Sequence, residues 1–176
     1  MNVGIPTYDA AAAAKPYTAT IKTNLGNIVF TALTTKAPYT TYSFEYLAQK
    51  GFFNNQPCPR ISDSQGLYML QCPAANADPG YTIPDENLTA FGTGQSVTYP
   101  AGTLAMANTG AAHSGGGQFF LVFQDTTLPP SYTPFGTITS GLNILTQLAA
   151  KGNDGSSSAG GGKPNEAITI ESVTIN

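Results

Sequence analysis

"GTLAMANTGAAHSGGGQFFLVF", Gly102–Phe123, holds two apolar runs separated by a loop of small and polar residues. The second run begins directly behind three glycines. Glycine lets a backbone turn or be approached closely, whereas Phe, Leu and Val suit a packed strand. A period of two puts Gln118, Phe120 and Val122 on one face of that strand, and Phe119, Leu121 and Phe123 on the other. A polar amide sharing a face with an aromatic ring, just past a flexible loop, suits a binding surface. It equally suits an ordinary strand start.

On the N-terminal side, "YTATIKTNLGNIVFTAL" (17–33) alternates Tyr17, Ala19 and Ile21 with polar residues around an "NLGN" turn, the pattern of a hairpin. "APYTTYSFEYLAQKG" (37–51) then switches to helical spacing, with Phe44, Leu47 and Ala48 on one face. Thr40 or Thr41 is the expected N-cap, and Gly51 the stop. Residues 53–139 are short apolar runs broken by "NNQPCP", "SDSQG", "ANADPG", "GTGQ" and "LPPSYTP", a density of turn chemistry that argues for an antiparallel barrel or sandwich. "SGLNILTQLAAKG" (140–152) is a second helix carrying Leu142, Leu145, Leu148 and Ala149, and "NDGSSSAGGGKP" (153–164) reads as a flexible loop. In the last strand, "EAITIESVTIN", the change of phase between Ile170 and Val173 predicts a bulge or a bend. The reading is therefore mainly β, with one helix near each end, and no internal repeat.

The chain has 176 residues, enough for one domain with a proper core. Only 10% of residues are charged and the net charge is −3, which leaves no basic footprint for nucleic acid. No apolar run approaches the roughly 20 residues of a membrane span. The first residues lack a basic region followed by an apolar core, so they are not an intact signal peptide. Two cysteines and one histidine are too few for a zinc cage, and no metal or other cofactor is expected.

The Gly102–Phe123 stretch resembles the signature of the cyclophilin family of peptidyl-prolyl cis–trans isomerases: a G-x-L-x-M-A-N-x-G run, a small loop, then a Q-F-F strand. "CPRISDSQGLYMLQC" (Cys58–Cys72) resembles the family's R-x…F-M-x-Q hairpin, and "PDEN" (84–87) and "FGTITSGLNILTQL" (135–148) match further stretches in the same order. The resemblance covers Tyr17–Asn176. It implies an eight-stranded antiparallel closed β-barrel capped by two α-helices, preceded by a flexible N-terminal lead over residues 1–16.

Position by position, the resemblance makes Arg60 the catalytic residue. It makes Tyr68, Met69, Gln71, Ala107, Asn108, Gln118, Phe120, Leu128 and Tyr132 the substrate-binding set. Phe120 is the expected floor of a proline pocket, with Gln118 beside it. Tyr68 stands where the family usually has phenylalanine, and Tyr132 where histidine is common. The family's tryptophan has no counterpart, since the chain contains none; Leu128 falls near its place, as in a bacterial-like variant. The Arg60–Met69 turn is longer than in animal-type members, and "CPAANADPG" replaces a glycine-rich stretch, so the secondary subsites differ. If the Arg60 and Gln71 segments pair as a hairpin, Cys58 and Cys72 lie nearly opposite each other. They then form a disulfide, or remain two reduced thiols.

The implied activity is rotation about X–Pro bonds in peptides and in unfolded or folding proteins. The implied state is a monomer, and the implied inhibitor is cyclosporin A, bound with reduced affinity because leucine lacks the indole N–H. Two other classes stay open: a non-catalytic proline-peptide-binding module of the same fold, and a cell-surface β-domain with an unrelated ligand. Low charge and a disulfide favour an extracytoplasmic or cell-envelope setting over the cytoplasm. His113 reads as a solvated loop residue with no carboxylate near it in the chain, and Asp85–Glu86 as structural or exposed.

Overall fold

Phe119 and Phe120 are neighbours in one strand, yet they are buried in two different hydrophobic clusters. That split organises the molecule, a computed structural model that describes residues 2–176. Phe119 and Leu121 join the main core, built on Phe30, Phe44, Phe53 and Phe135. Phe44 lies at its centre, stacked on Phe53 with ring centroids 4.8 Å apart and edge-on to Phe30 and Phe119 at 5.3 and 5.5 Å. Such offset and edge-to-face contacts are the favoured aromatic geometries. Phe120 and Val122 face the other way, into a smaller cluster with Met69, Val97, Tyr99 and Ala105.

The strands, in chain order, are β1 (Thr18–Thr23), β2 (Gly26–Ala32), β3 (Gln56–Pro57), β4 (Arg60–Ser64), β5 (Leu67–Cys72) and β6 (Val97–Tyr99). They continue as β7 (Thr103–Met106), β8 (Phe119–Val122), β9 (Thr126–Leu128), β10 (Pro134–Ser140) and β11 (Thr169–Ile175). The helices are α1 (Ala10–Ala13), α2 (Pro38–Gln49) and α3 (Leu142–Ala150). Nine strands form one antiparallel sheet in the order β3-β11-β1-β2-β10-β7-β8-β5-β4, and β6 pairs with β9 in a separate ribbon. The architecture is mainly β, as expected. The count is corrected: among the described residues there are nine strands plus a two-stranded ribbon where eight were expected, and three helices where two were expected. β3 has two residues and β6 and β9 three each, too short for alternation to reveal them.

The hairpin β1–β2 turns on Asn24–Leu25, with Thr23 opposite Gly26. The predicted phase change in the last strand is a bulge: Lys22 pairs with Ser172 and Thr23 with Ile170, so Glu171 is passed over. One glycine of the run before β8 has a packing reason, because a Cβ on Gly117 would stand 2.6 Å from the Phe52 ring. Cys58 and Cys72 are joined by a disulfide, which links the segment before β4 to the end of β5. Residues 2–16, expected as a flexible lead, lie along α2. The Tyr42 and Tyr46 hydroxyls donate to the carbonyls of Thr7 and Val3, and Tyr8 stacks on Tyr39 at 3.8 Å.

The N-terminus of α2 departs from the expected cap. The N-cap is Ala37, which has no side chain to offer, and Pro38 follows it. Glu86, from the "PDEN" stretch, supplies the cap across space. Its carboxylate accepts from the backbone N–H groups of Tyr39 (3.2 Å) and Thr40 (2.8 Å) and from the Thr40 hydroxyl (2.9 Å). An acidic group there also complements the positive end of the helix dipole. Glu86 is therefore structural. Glu86→Ala is expected to lower unfolding free energy by about 1 kcal/mol, as for loss of a side-chain cap, read by urea denaturation.

Candidate active site

β4 and β5 are joined by Gln65–Gly66, both with positive φ, +55° and +82°, as a tight two-residue hairpin turn requires. The turn sets a register in which Arg60 faces Gln71 and Ser62 faces Met69. On the other side of β5, Gln71 faces Phe120 and Met69 faces Val122. Residues opposite one another share a face of the sheet. Arg60, Gln71, Met69 and Phe120 therefore stand together by register alone.

They line a groove of about 350 Å3 with Leu67, Ala107, Asn108, Thr109, Leu128, Tyr132 and neighbouring residues. Phe120 is 5% exposed and forms the floor, with the Tyr132 ring edge-on to it at 5.6 Å. Tyr132 is fixed from behind by Tyr99, whose hydroxyl donates to the Tyr132 carbonyl at 2.8 Å. The Asn108 side chain donates to the Ser131 carbonyl (3.0 Å) and accepts from the Gly110 N–H (2.9 Å), so it shapes the wall. Larger hollows lie elsewhere, about 440 Å3 beside Lys15 and Glu45, about 470 Å3 beside Phe91 and about 410 Å3 beside Ile144 and Lys151. None sets an arginine over an apolar floor.

Among the described residues, Arg60 is the only charged side chain that lines the groove. Its Nη1 donates to Gln71 Oε1 at 3.1 Å, its Nε to the Gly160 carbonyl at 2.9 Å, and its Nη2 to the Ala159 carbonyl at 2.9 Å. Burial lowers the guanidinium's pKa from its ordinary value, with Tyr132 acting in the opposite direction. The group is a fixed, partly dehydrated donor.

Two expected site residues stand outside this lining. Tyr68 alternates with Leu67 and Met69, so it points to the opposite face and packs edge-on to Phe123 at 6.4 Å. Leu67 takes its place on the groove side. The Gln118 side chain donates to the Pro73 carbonyl at 2.9 Å, tying the head of β8 to the turn after β5. Arg60, Met69, Gln71, Ala107, Asn108, Phe120, Leu128 and Tyr132 are brought together.

The sequence reading missed the carbonyls of Ala159 and Gly160. The 153–164 loop, which reads as flexible, is hydrogen-bonded in the structure, and its run of three consecutive glycines, Gly160–Gly162, is the available signal. His113 has a carboxylate partner after all, from 28 residues away: its backbone N–H donates to Asp85 Oδ2, and its Nδ1 accepts from the Asp85 N–H. It lies outside the groove lining. Among the described residues, no three His, Cys, Asp or Glu side chains cluster as a metal would need, and no helix is long and apolar enough to cross a membrane.

This architecture, a curved antiparallel sheet presenting an arginine over an aromatic floor, is that of a cyclophilin-like protein. A profile of the "Cyclophilin type peptidyl-prolyl cis-trans isomerase/CLD" family matches residues 18–175, and the chain belongs to that family. It is 41% identical over 168 residues to a "Probable peptidyl-prolyl cis-trans isomerase B" of Mycobacterium leprae, covering 89% of this chain and 56% of that protein. It is 30% identical over 170 residues to "Peptidyl-prolyl cis-trans isomerase B" of Escherichia coli, covering 89% of this chain and 98% of that one. The chain thus spans about half the length of its mycobacterial relatives. The fold matches a Cryptosporidium parvum cyclophilin type isomerase crystallised in the presence of the dipeptide Ala-Pro, with a TM-score of 0.65 and 21% identity, covering 90% of this chain and 98% of that one.

The Tyr99–Tyr132 bond holds one groove wall. Tyr99→Phe strands the carbonyl and is expected to cost about 0.5–1.5 kcal/mol of stability, measured by chemical denaturation.

Proposed function

We propose that the chain is a peptidyl-prolyl cis–trans isomerase, with residues 17–176 as the isomerase domain and Arg60 as its catalytic residue. Rotation about a peptide bond faces a barrier of about 18–20 kcal/mol because amide resonance must be broken, and X–Pro bonds rotate slowly for that reason. No bond is made or cleaved, so neither nucleophile nor acid–base pair is required. The protein needs to bind the twisted amide better than the planar one.

As resonance is lost, the prolyl nitrogen pyramidalises and regains a lone pair that can accept a hydrogen bond. Arg60 supplies the donor. The apolar slot of Met69, Phe120, Leu128 and Tyr132 has the chemistry to hold a proline ring. That burial favours both isomers alike, so it gives affinity rather than rate. The backbone at Asn108 is assigned to the moving carbonyl, and Gln71 to holding Arg60. The Ala-Pro present in the Cryptosporidium parvum crystal has the chemistry this slot suits. The single observation that carries the reading is the Arg60 guanidinium fixed over an apolar pocket by three hydrogen bonds. A module that only bound proline peptides would not need that donor.

Arg60→Ala is expected to lower kcat/KM on an X-Pro peptide about 10²–10³-fold, the usual loss for one preorganised donor, while peptide binding falls much less. Arg60→Lys should rescue little, because an ammonium lacks the planar fork. His113→Ala should leave the rate unchanged, and the wild-type profile should be flat from about pH 5.5 to 8, because the step transfers no proton. Cis–trans exchange of the peptide by NMR measures all of these. Near-normal turnover by Arg60→Ala overturns the mechanism.

Leu128 at the tryptophan position has no donor to offer cyclosporin A. Loss of one interfacial hydrogen bond costs about 0.5–1.5 kcal/mol. Calorimetry should find binding about tenfold weaker than for tryptophan-bearing cyclophilins, and Leu128→Trp should recover it.

A further inference from the structure

Arg60 is held from two sides, and the side opposite Gln71 is backbone. Two consecutive carbonyls, of Ala159 and Gly160, accept from Nη2 and Nε along one edge of the guanidinium. Aiming both at one side chain needs an unusual turn, and Gly160 has φ +110°. The loop is also fastened to the strand that carries Arg60. Ile61, the next residue, exchanges both backbone hydrogen bonds with Gly162, at 2.8 and 3.0 Å. The approach is so close that a Cβ on Gly161 would stand 2.0 Å from the Ile61 carbonyl oxygen.

The base of the loop is closed by one carboxylate. Asp154 Oδ1 accepts from the backbone N–H groups of Ser156 (3.0 Å) and Lys163 (2.9 Å), and the Asp154 N–H donates to the Lys163 carbonyl (3.1 Å). Hydrogen bonds from Ser156, and then Lys163, hold the Asp154 carboxyl below the usual aspartate range.

We propose that the 153–165 loop is a positioning element for Arg60, pinned by Asp154, which sets the guanidinium for the prolyl nitrogen before substrate arrives. A guanidinium has five N–H donors. Three are engaged by Gln71, Ala159 and Gly160, which leaves one on each terminal nitrogen for the peptide. A long arginine side chain carries much rotamer entropy. With the clamp in place, that freedom is lost on folding rather than in the transition state, as preorganised catalysis requires. Ala159 also lines the groove, so the clamp and the peptide meet. Asp154 and Gly161 are positioning residues that act through Arg60.

The inference rests on the isomerase reading for its rate measurement, and a second measurement is independent of activity. The Arg60 Nε–H resonance in 1H–15N spectra of the wild-type chain should exchange slowly, because it is bound to Gly160. Asp154→Ala, at an exposed site, and Gly161→Ala, which displaces the loop, should both lose that protection. In each, kcat/KM should fall about tenfold, within the range for a displaced catalytic group, with little change in peptide affinity. Asp154→Asn keeps the oxygen acceptor and should restore most of the rate. In an Arg60→Ala background, Asp154→Ala should add no further loss, since a residue acting only through Arg60 cannot act without it. Retained Nε–H protection in both loop variants overturns the proposal, as do losses from Asp154→Ala and Arg60→Ala that multiply. If the wild-type chain shows no isomerisation, the isomerase reading fails, and the Nε–H protection still decides the clamp.

Discussion

Strand register across β4, β5 and β8 is the constraint from which the site follows. Arg60, Gln71 and Phe120 sit in one row across three strands. Side chains alternate with a period of two, so a slip of one residue would carry every member of the row to the other face. The slip is opposed on both sides of the sheet. Phe119 and Leu121 are committed to the Phe44 core, and Phe120 and Val122 to the Tyr99 cluster. Moving either set would exchange two differently shaped aromatic packings. The tight Gln65–Gly66 turn and the Cys58–Cys72 disulfide hold the remaining ends of the same rows. The groove is a by-product of strands that have no freedom to pair otherwise.

Amide rotation makes an unusual demand on such a groove. With no proton or electron pair to transfer, rate comes from a donor whose hydrogen bond strengthens as the substrate nitrogen pyramidalises. A donor in bulk water would gain little, because water already competes for it. The Arg60 guanidinium is half-buried, and its pKa is lowered by that burial. Neutral carbonyls and an amide hold it, and among the described residues no carboxylate lines the groove. Its charge is therefore directed without being neutralised by an ion pair. The Phe120 floor and the Tyr132 wall keep the slot apolar.

Several supports of this arrangement come from residues distant in the chain. Glu86 caps a helix that begins 48 residues earlier, and Asp85 meets His113 across a separation of 28. Ala159 and Gly160 reach Arg60 across 99 and 100 residues. Each is a short polar residue or a bare carbonyl in a loop. Loops lack periodicity, so neither their shape nor their partners follow from local pattern.

Sequence alone carries the hairpin at 17–33, the apolar faces of both longer helices and the change of phase near Glu171. It also determined the family to which the Gly102–Phe123 and Cys58–Cys72 motifs belong. These are local properties: alternation, helical spacing, and motifs whose order survives in the chain. Most of the groove was legible for the same reason, since Arg60, Met69, Gln71 and Phe120 lie in strands whose register those motifs carry. Alternation along β5 already sets Tyr68 on the face opposite Leu67, Met69 and Gln71. Tertiary structure decided which of the two faces lines the groove. It decided that Gln118 spends its amide on Pro73 and that Glu86 caps α2. It decided that a glycine-rich loop grips the arginine. Those outcomes depend on which backbone groups come within hydrogen-bond reach once the sheet has curved, a distance that no stretch of sequence contains.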